Sequence, residues 1–244
     1  MRKKALITGA SGGIGQAIAE EMAKLGYDVI LHYNSDRDSV FSLMHRLEEK
    51  YGIYAHCLKC DLSKPEEVKE FAQRAMDFGK IEVLINNAGI AYQELFQLAD
   101  EEKIRQLFEI NLMSALSLTK EILPSMISEH YGRIINISSM WGIMGASCEV
   151  HYSVTKSALT GFTKSLAKEV GPSGITVNCI APGFIDTKMN SHLSEEDTQD
   201  IIDSTPVMRK GTGEDVAHLA AFLASEKAGF ITGQVIAVDG GYSA

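Results

Sequence analysis

Short apolar runs alternate along the chain with longer stretches in which apolar residues recur every three to four positions. The short runs are typical of buried strands and the longer stretches of amphipathic helices. Strands are predicted over Ala5–Thr8, Val29–Tyr33, Tyr54–Leu58, Val83–Asn86, Arg133–Ser138, Thr176–Ala181 and Val235–Val238. Helices are predicted between them, over Ile14–Leu25, Val40–Tyr51, Glu66–Phe78, Ile104–Ile127, Tyr152–Val170 and Glu214–Ala224. Because such alternation joins parallel strands through crossover helices, it predicts an α/β fold: a doubly wound, parallel seven-stranded sheet with helices on both faces.

The connection over residues 186–210 departs from this alternation. It is polar, rich in Ser, Asp and Glu, and has no strand pattern. Long connections inside compact domains are usually functional, so we predict a substrate lid over about 186–210 that becomes ordered when a ligand binds. No linker-like change of composition divides the chain, and residues 1–244 are predicted to form a single domain.

The composition narrows the classes of partner. A formal net charge of −9 disfavours nucleic acid and anionic membranes, which attract basic surfaces. No apolar run approaches the ~20 residues of a membrane-spanning helix. The basic residues Arg2, Lys3 and Lys4 are followed by too short an apolar stretch for a signal peptide. A cytoplasmic protein is expected.

Two of the four cysteines, Cys57 and Cys60, form a C-x-x-C motif. No second Cys/His pair stands at a spacing that would complete a zinc site. Buried thiols near a strand, and no metal, are expected.

The turn between the first strand and the first helix is glycine-rich. Gly9 suits a tight turn, Gly13 lets the backbone approach a pyrophosphate, and Gly15 allows close packing of helix on strand. Phosphate would bind the free N–H groups at the positive end of the helix. The sequence therefore predicts a dinucleotide site at Gly9, Ala10, Ser11, Gly12, Gly13, Ile14 and Gly15.

The end of the second strand bears on the choice between NAD and NADP. An acidic residue there normally binds the 2′-hydroxyl of NAD, but the strand is followed by Asn34 and Ser35. These residues, with Ser11 and Arg37, offer donors to a 2′-phosphate, whereas Asp36 opposes one and Gly12 adds no charge. The sequence favours NADP or NADPH over NAD.

Tyr152 and Lys156 lie four residues apart on a predicted helix and so share a face. A nearby ammonium stabilises phenolate and would lower the tyrosine pKa from its usual value of about 10. The pair predicts an acid/base group, although a surface tyrosine beside a lysine would show the same spacing.

Polar side chains at the same edge of the sheet support the acid/base hypothesis. Ser139 follows the fifth strand and is a better candidate than Ser138 for binding a substrate carbonyl. Asn111 lies within a predicted helix, where asparagine is a mediocre helix former. Asn86 ends the fourth strand, and for it a structural role is expected.

Together these motifs make the chain resemble the classical short-chain dehydrogenase/reductases, a Rossmann-type family, and within it the β-ketoacyl-(acyl carrier protein) reductases. The resemblance rests on Thr8–Gly15, Asp61-Leu62, Asn86–Gly89, Asn111, Ser139, Tyr152 with Lys156, Pro182–Thr187 and Val238–Gly241. It implies an NADPH-dependent ketone reductase of fatty acid biosynthesis and a homotetramer.

The resemblance also implies roles for single residues. Asp61 contacts the adenine, Asn87 and Gly89 lie alongside the adenosine ribose, and Ile185 and Thr187 contact the nicotinamide carboxamide. Leu62, Pro182 and Gly183 complete the cofactor residues. Tyr152 protonates the carbonyl oxygen, Ser139 orients it, Lys156 binds the ribose and tunes the phenol, and Asn111 positions a water.

The substrate is less well defined. Reductases of this type present basic residues to the acidic carrier protein, but the matching segments here read Pro172-Ser173-Gly174 and Ser128–Gly132. A coenzyme A thioester or a smaller ketone is therefore an alternative, as are a dehydrogenase of a sugar or ring alcohol and a non-catalytic dinucleotide sensor. An apolar substrate pocket is predicted at Ser139, Met140, Trp141, Met144, Phe184 and Met189.

Overall fold

A computed structural model describes residues 2–191 and 193–244. Their strands form one sheet: β1 (Lys4–Ile7), β2 (Asp28–Tyr33), β3 (Ala55–Lys59), β4 (Val83–Asn86), β5 (Gly132–Ile137), β6 (Ile175–Pro182) and β7 (Val235–Val238). The strand order is β3-β2-β1-β4-β5-β6-β7, and every neighbouring pair is parallel. The predicted doubly wound sheet is confirmed, with each strand within one residue of its predicted bounds.

Helices cover both faces of the sheet. They are α1 (Gly13–Lys24), α2 (Arg37–Tyr51), α3 (Pro65–Met76), α4 (Glu101–Phe108), α5 (Ser114–Glu129), α6 (Trp141–Met144), α7 (Val150–Val170), α8 (Glu195–Asp203) and α9 (Gly213–Ala224). One core packs α1, α2 and α9 on the sheet face that includes Ile7. The other packs α3, α5 and α7 on the face that includes Leu6. Within the described residues, no helix combines the length and apolarity needed to cross a lipid bilayer.

The helical stretch predicted over Ile104–Ile127 is helical in the structure, but it is not one uniform α-helix. In the structure α4 ends at Phe108, a π-helical turn spans Glu109–Met113, and α5 begins at Ser114. One extra residue in a turn leaves the apolar spacing almost unchanged, so the pattern does not reveal the interruption. Such π turns are frequent at functional sites, and this one carries Asn111.

The segment predicted as a lid leaves and rejoins the body of the protein at one point. Residues Ile185 and Gly211 form a backbone bridge, in which the Asp186 N–H donates to the Gly211 carbonyl and the Gly211 N–H to the Phe184 carbonyl, both at 2.9 Å. The lid contains α8, which the polar pattern did not predict. This segment is therefore partly helical, and the backbone bridge holds its two ends together.

The order of strands reverses between β1 and β4, which lie side by side. In an open parallel sheet, ligands bind beyond the carboxyl ends of the strands at such a switch point. The glycine-rich turn follows β1, Asn87 follows β4, Ser138 and Ser139 follow β5, and Gly183 follows β6. The fold thus brings the predicted site residues to one edge.

Candidate functional site

The turn after β1 is shaped by two glycines. Gly9 has a φ of +67°, a left-handed conformation that favours glycine. Gly15 packs against it so closely that a Cβ at Gly15 would lie 2.3 Å from the Gly9 carbonyl oxygen. Gly12 and Gly13 are exposed at the start of α1, whose first turn has no acidic residue. The positive end of α1 is therefore open to a phosphate, which fits a dinucleotide cofactor.

Asn87 and Thr8 fasten this turn to the end of β4. The Asn87 side-chain amide donates to the carbonyl oxygens of Thr8 at 2.8 Å and Gly9 at 3.2 Å. The Thr8 hydroxyl accepts the backbone N–H groups of Asn87 at 2.9 Å and Ala88 at 3.0 Å. Asn87 thus holds the shape of the glycine-rich turn, a role that its position in the sequence did not indicate.

His32, in β2, also supports the turn, although nothing in the residues around it in sequence indicates such a role. Its Nδ1 accepts the Gly9 backbone N–H at 3.0 Å, and its Nε2 lies 3.0 Å from the Cys60 carbonyl oxygen at the end of β3. The ring is 3% exposed and packs edge-on against Phe71. Burial lowers the pKa of His32 to about 4, so the ring is neutral at neutral pH.

Protonation of His32 is expected to make stability depend on pH. The folded-state pKa of about 4 lies below the ordinary value of 6.5. Between these two pH values the unfolded chain binds a proton at His32 and the folded chain does not. The contribution to stability is therefore complete above about pH 6.5 and is lost as the pH falls toward 4. Urea unfolding should show a decline of roughly 3 kcal/mol across that window from this group, at 1.36 kcal/mol per pKa unit.

The His32→Asn variant keeps a polar side chain but cannot titrate, so its unfolding free energy should decline less over the same window. His45, whose side chain is 71% exposed on α2, provides the control. His45→Gln should leave the wild-type pH slope unchanged. A His32→Asn slope equal to that of the wild type would refute the assignment.

The end of β2 carries polar side chains where the adenosine end of a cofactor is expected. Asn34 and Ser35 are exposed. Asp36 caps α2, since its carboxylate accepts the Ser39 N–H at 3.2 Å and the Ser39 hydroxyl at 2.8 Å. After β3, Asp61 accepts the N–H and hydroxyl of Ser63, at 3.0 and 2.7 Å, in a local turn.

The segment after β6 borders the same cleft. The Gly183 N–H donates to the Val238 carbonyl at 2.9 Å. Ile185 is only 3% exposed, so it offers little side-chain surface to a ligand. Thr187 lies against the start of α1, because a Cβ on Gly13 would be 3.0 Å from Thr187 Cγ2. Pro182 and Leu62, also predicted at the cofactor, are buried in the structure.

Tyr152, Ser139 and Lys156 converge at the carboxyl edge of the sheet. Ser139 lies beside the phenol of Tyr152, and the Trp141 N–H donates to Ser139 Oγ at 3.2 Å. The Lys156 ammonium donates to the Ile137 carbonyl at 2.9 Å and lies 5.6 Å from the centre of the Tyr152 ring. All three side chains are buried. The absence of a side chain at Gly89 leaves room for the Lys156 ammonium, because a Cβ on Gly89 would lie 3.2 Å from Lys156 Nζ.

The pKa of Tyr152 is displaced in the direction opposite to the one predicted. The pKa is raised to about 12, mainly by burial; hydrogen bonding by Ser139 acts to lower it, and the charge of Glu149 adds to the rise. Burial also lowers the pKa of Lys156 to about 8, while Cys179 acts in the opposite sense. Desolvation outweighs the lysine charge here because the ammonium is directed to a backbone carbonyl. The phenol is consequently protonated at neutral pH and suited to donate a proton.

Asn111 links the end of β4 to α7. Its Oδ1 accepts the Ile90 N–H and its Nδ2 donates to the Ile90 carbonyl, both at 2.8 Å. Its Nδ2 also lies 3.3 Å from Thr155 Oγ1. With 1% exposure, Asn111 holds the loop after β4 beside the helix that carries Tyr152 and Lys156.

Two neighbouring polar residues are structural. Ser138 donates its hydroxyl to the Lys156 backbone carbonyl at 2.8 Å, which leaves Ser139 as the serine that faces the phenol. Asn86 donates to Asn136 at 2.9 Å and to Thr119 at 3.2 Å inside the sheet. The structural role predicted for Asn86 is confirmed.

A cavity of about 820 Å³ is lined mainly by the segment predicted as a lid. Its lining is Phe184, Asp186, Thr187, Lys188, Asn190, Ser191, Leu193, Glu195, Thr198, Gln199, Ile202 and Lys210. Polar and apolar surface contribute about equally to this lining, and of the predicted pocket residues it includes Phe184. Of the other predicted pocket residues, Met140 is buried, Trp141 packs edge-on against Tyr242 at 5.8 Å, and Met144 and Met189 are exposed.

The two segments predicted to lack carrier-docking charges lie side by side. A Cβ on Gly174 would be 2.5 Å from the His130 carbonyl oxygen. Glu129 in this region pairs with Lys80, and the nearest arginine in sequence, Arg133, is 5% exposed. This face therefore offers little positive charge to an acidic carrier protein.

The cysteines near β3 are thiols in an apolar setting. Burial raises the pKa of Cys57 to about 11 and that of Cys60 to about 12, which disfavours the thiolate. Among residues 2–191 and 193–244, no three His, Cys, Asp or Glu side chains are grouped as a metal site would need.

Comparison with known proteins gives matches along almost the whole chain. The family model described as enoyl-(acyl carrier protein) reductase matches residues 9–243. The uncharacterized oxidoreductase YmfI of Bacillus subtilis is 39% identical, with 99% of each chain covered. The 3-oxoacyl-[acyl-carrier-protein] reductase FabG of Aquifex aeolicus is 42% identical over 98% of this chain and 96% of its own. FabG of Staphylococcus epidermidis is 37% identical over 99% of each.

Among solved structures, the chain is similar to the crystal structure of YwfH, an NADPH dependent reductase involved in bacilysin biosynthesis. The TM-score is 0.93 at 29% sequence identity, and the match covers 99% of this chain and 98% of that one. The similarity therefore extends over the sheet, both helical layers and the lid.

Proposed function

Since the chain belongs to the classical short-chain dehydrogenase/reductase family, close to the FabG reductases, we propose that it reduces a 3-oxoacyl thioester to the 3-hydroxyacyl thioester with NADPH. The observation that carries this proposal is the convergence of Tyr152, Ser139 and Lys156 beside the glycine-rich turn. Membership of this family makes the protein an oxidoreductase, whereas the choice of NADPH and of a thioester substrate is proposed.

The residues of the site supply binding and proton transfer. When bound, the nicotinamide cofactor supplies the hydride. Tyr152, protonated at neutral pH with its pKa of about 12, donates a proton to the carbonyl oxygen. Ser139 orients and polarises that oxygen from its place beside the phenol. Lys156, mostly protonated at pH 7 with its pKa of about 8, binds ribose hydroxyls, and Asn111 positions a water that leads to Lys156.

A preference for NADPH is supported by exposed Asn34 and Ser35 at the end of β2 and by the similarity to YwfH, which is an NADPH dependent reductase. A coenzyme A thioester is the favoured substrate, because the face formed by Glu129, His130 and Ser173 lacks the basic residues that an acyl carrier protein needs.

The proposal also includes a cytoplasmic homotetramer. Phe230, which is fully exposed in the single chain, is the kind of side chain that subunit contacts cover, and a monomeric mass in sedimentation would refute it.

The test is NADPH consumption with one 3-oxoacyl group presented on coenzyme A and on acyl carrier protein, with NADH as the alternative donor. We expect turnover with NADPH, and a higher kcat/KM for the coenzyme A thioester than for the carrier-protein thioester. Equal or better use of the carrier protein would contradict the preference for coenzyme A. Reduction of small ketones but of neither thioester would contradict the thioester assignment.

A further inference from the structure

Arg37 and Lys64, two cations close in sequence to the ends of β2 and β3, have other contacts. The Arg37 guanidinium lies over the Phe41 ring, 4.7 Å from its centre. Lys64 pairs with Glu67 at 2.9 Å and with Asp61 at 3.7 Å. Gly12 supplies no charge. Lys59, the last residue of β3, is exposed, and the segment after β6 brings a further cation to this place.

Lys188 is that cation. It follows Thr187, which packs against the start of α1 at Gly13, and its Nζ lies 3.8 Å from Asp36 Oδ2 directly after β2. A side chain of the lid therefore crosses the cleft to the strand end where the ribose of a bound dinucleotide is expected. Lys188 also lines the cavity bordered by the lid.

The contact between Lys188 and Asp36 is of a kind that exchanges readily. The lysine side chain is 92% exposed, and exposed ion pairs contribute little to stability. Asp36 does not depend on it, because hydrogen bonds from Ser39 are the main cause of the lowered pKa of this carboxyl. A phosphate monoester carries up to two negative charges at neutral pH, so it competes well with one carboxylate for the ammonium.

We propose that Lys188 recognises the 2′-phosphate of NADPH and so determines cofactor specificity from the lid. The inference rests on the proposed function insofar as that function requires NADPH. Because Lys188 belongs to the lid, the same contact holds the lid against the cofactor, and NADH lacks the group that would make it.

Binding is measured directly in the test, so that turnover is not needed. NADPH and NADH are titrated by nucleotide fluorescence, and adenosine 2′,5′-bisphosphate and adenosine 5′-monophosphate by calorimetry. Lys188→Gln should raise the Kd for NADPH and for the bisphosphate about tenfold, the lower end of the usual contribution of a hydrogen bond to a charged group. The Kd values for NADH and the monophosphate should stay within twofold.

Matched variants isolate the charge. Lys188→Arg should retain the NADPH preference. Asp36→Asn, which preserves the N-cap of α2, should lower the Kd for NADPH severalfold by removing the competing carboxylate. Lys80→Gln removes another exposed lysine, paired with Glu129 before β4, and should change neither cofactor's affinity.

Hydrogen exchange of the lid gives a second readout. In the wild type, NADPH should protect residues 186–203 more than NADH does at equal saturation, and Lys188→Gln should remove the difference. If the wild type prefers NADPH but Lys188→Gln preserves that preference and the lid protection, the inference about Lys188 fails and the proposed function stands. If the wild type binds NADH as tightly as NADPH, the proposed cofactor fails and the inference fails with it.

Discussion

Tyr152→Phe is expected to lower kcat/KM for ketone reduction by about 10²–10⁴-fold, the usual contribution of general acid catalysis. The variant removes only the hydroxyl that would protonate the carbonyl oxygen, and the buried ring remains to fill its site. Its Kd for NADPH should stay close to that of the wild type. Steady-state kinetics and a fluorescence titration on the same preparation measure both quantities.

Tyr54→Phe serves as the control, because this tyrosine is 67% exposed before β3 and far in sequence from the site. It should leave both kcat/KM and the Kd unchanged. Retention of more than about a tenth of the wild-type kcat/KM by Tyr152→Phe would be too small an effect for a general acid, and another residue would have to donate the proton.

Gly15→Ala is expected to disrupt the dinucleotide site and destabilise the fold. The new Cβ would lie 2.3 Å from the Gly9 carbonyl oxygen and 2.9 Å from the Ala10 Cα, both backbone atoms that cannot rotate away. Overpacking of this kind costs roughly 1–3 kcal/mol, and each kcal/mol lowers the Tm of a chain of this size by about 2–4 °C. Because the displaced turn carries the phosphate site, the Kd for NADPH should rise at least about tenfold, or 1.4 kcal/mol.

Gly171→Ala is the matched control for this substitution. Gly171 ends α7 with a φ of −52°, and an added Cβ meets nothing within 4 Å. Its Tm and Kd should equal those of the wild type. A Gly15→Ala protein with normal Tm and normal NADPH affinity would mean that the turn accommodates a side chain, contrary to the packing described above.

The strands could be predicted because each is a short apolar run bounded by polar or glycine residues. Leu6 and Ile7, for example, are buried on opposite faces of the sheet, as a doubly covered strand requires. The edge of the sheet where the site lies followed from the same pattern, since parallel strands end together. Ser139 could be selected because it is polar at that edge, and Tyr152 because its spacing from Lys156 places both on one helix face.

Other features depend on contacts distant in sequence and could not be predicted. His32 lies 23 residues from Gly9 and 28 from Cys60, and its ring joins both. Lys188 and Asp36 are distant in sequence and lie close together only in the folded chain. The direction of the Tyr152 pKa was missed for a related reason: four-residue spacing places Lys156 on the same helix face but does not show that its ammonium is directed to Ile137.

Asn111 illustrates a partial success. Because asparagine is a poor helix former, Asn111 could be selected from the sequence. The π turn that places its amide against Ile90 and Thr155 could not be predicted from the spacing of apolar residues. Similarly, the polar composition of residues 186–210 predicts a lid but does not predict α8. That helix is short and begins at the Ser194 cap, and the described residues within it are at most half-buried.

The central claim, reduction of a ketone by hydride from NADPH, is tested most directly by isotope transfer. The protein is incubated with a 3-oxoacyl coenzyme A thioester and NADPH deuterated at C4 of the nicotinamide, in each of the two configurations, and the product is analysed by mass spectrometry. We predict one deuterium on the carbinol carbon of the 3-hydroxyacyl product from one configuration of the label and none from the other. Oxidation of NADPH without deuterium in the product, or no 3-hydroxyacyl product at all, would contradict the account.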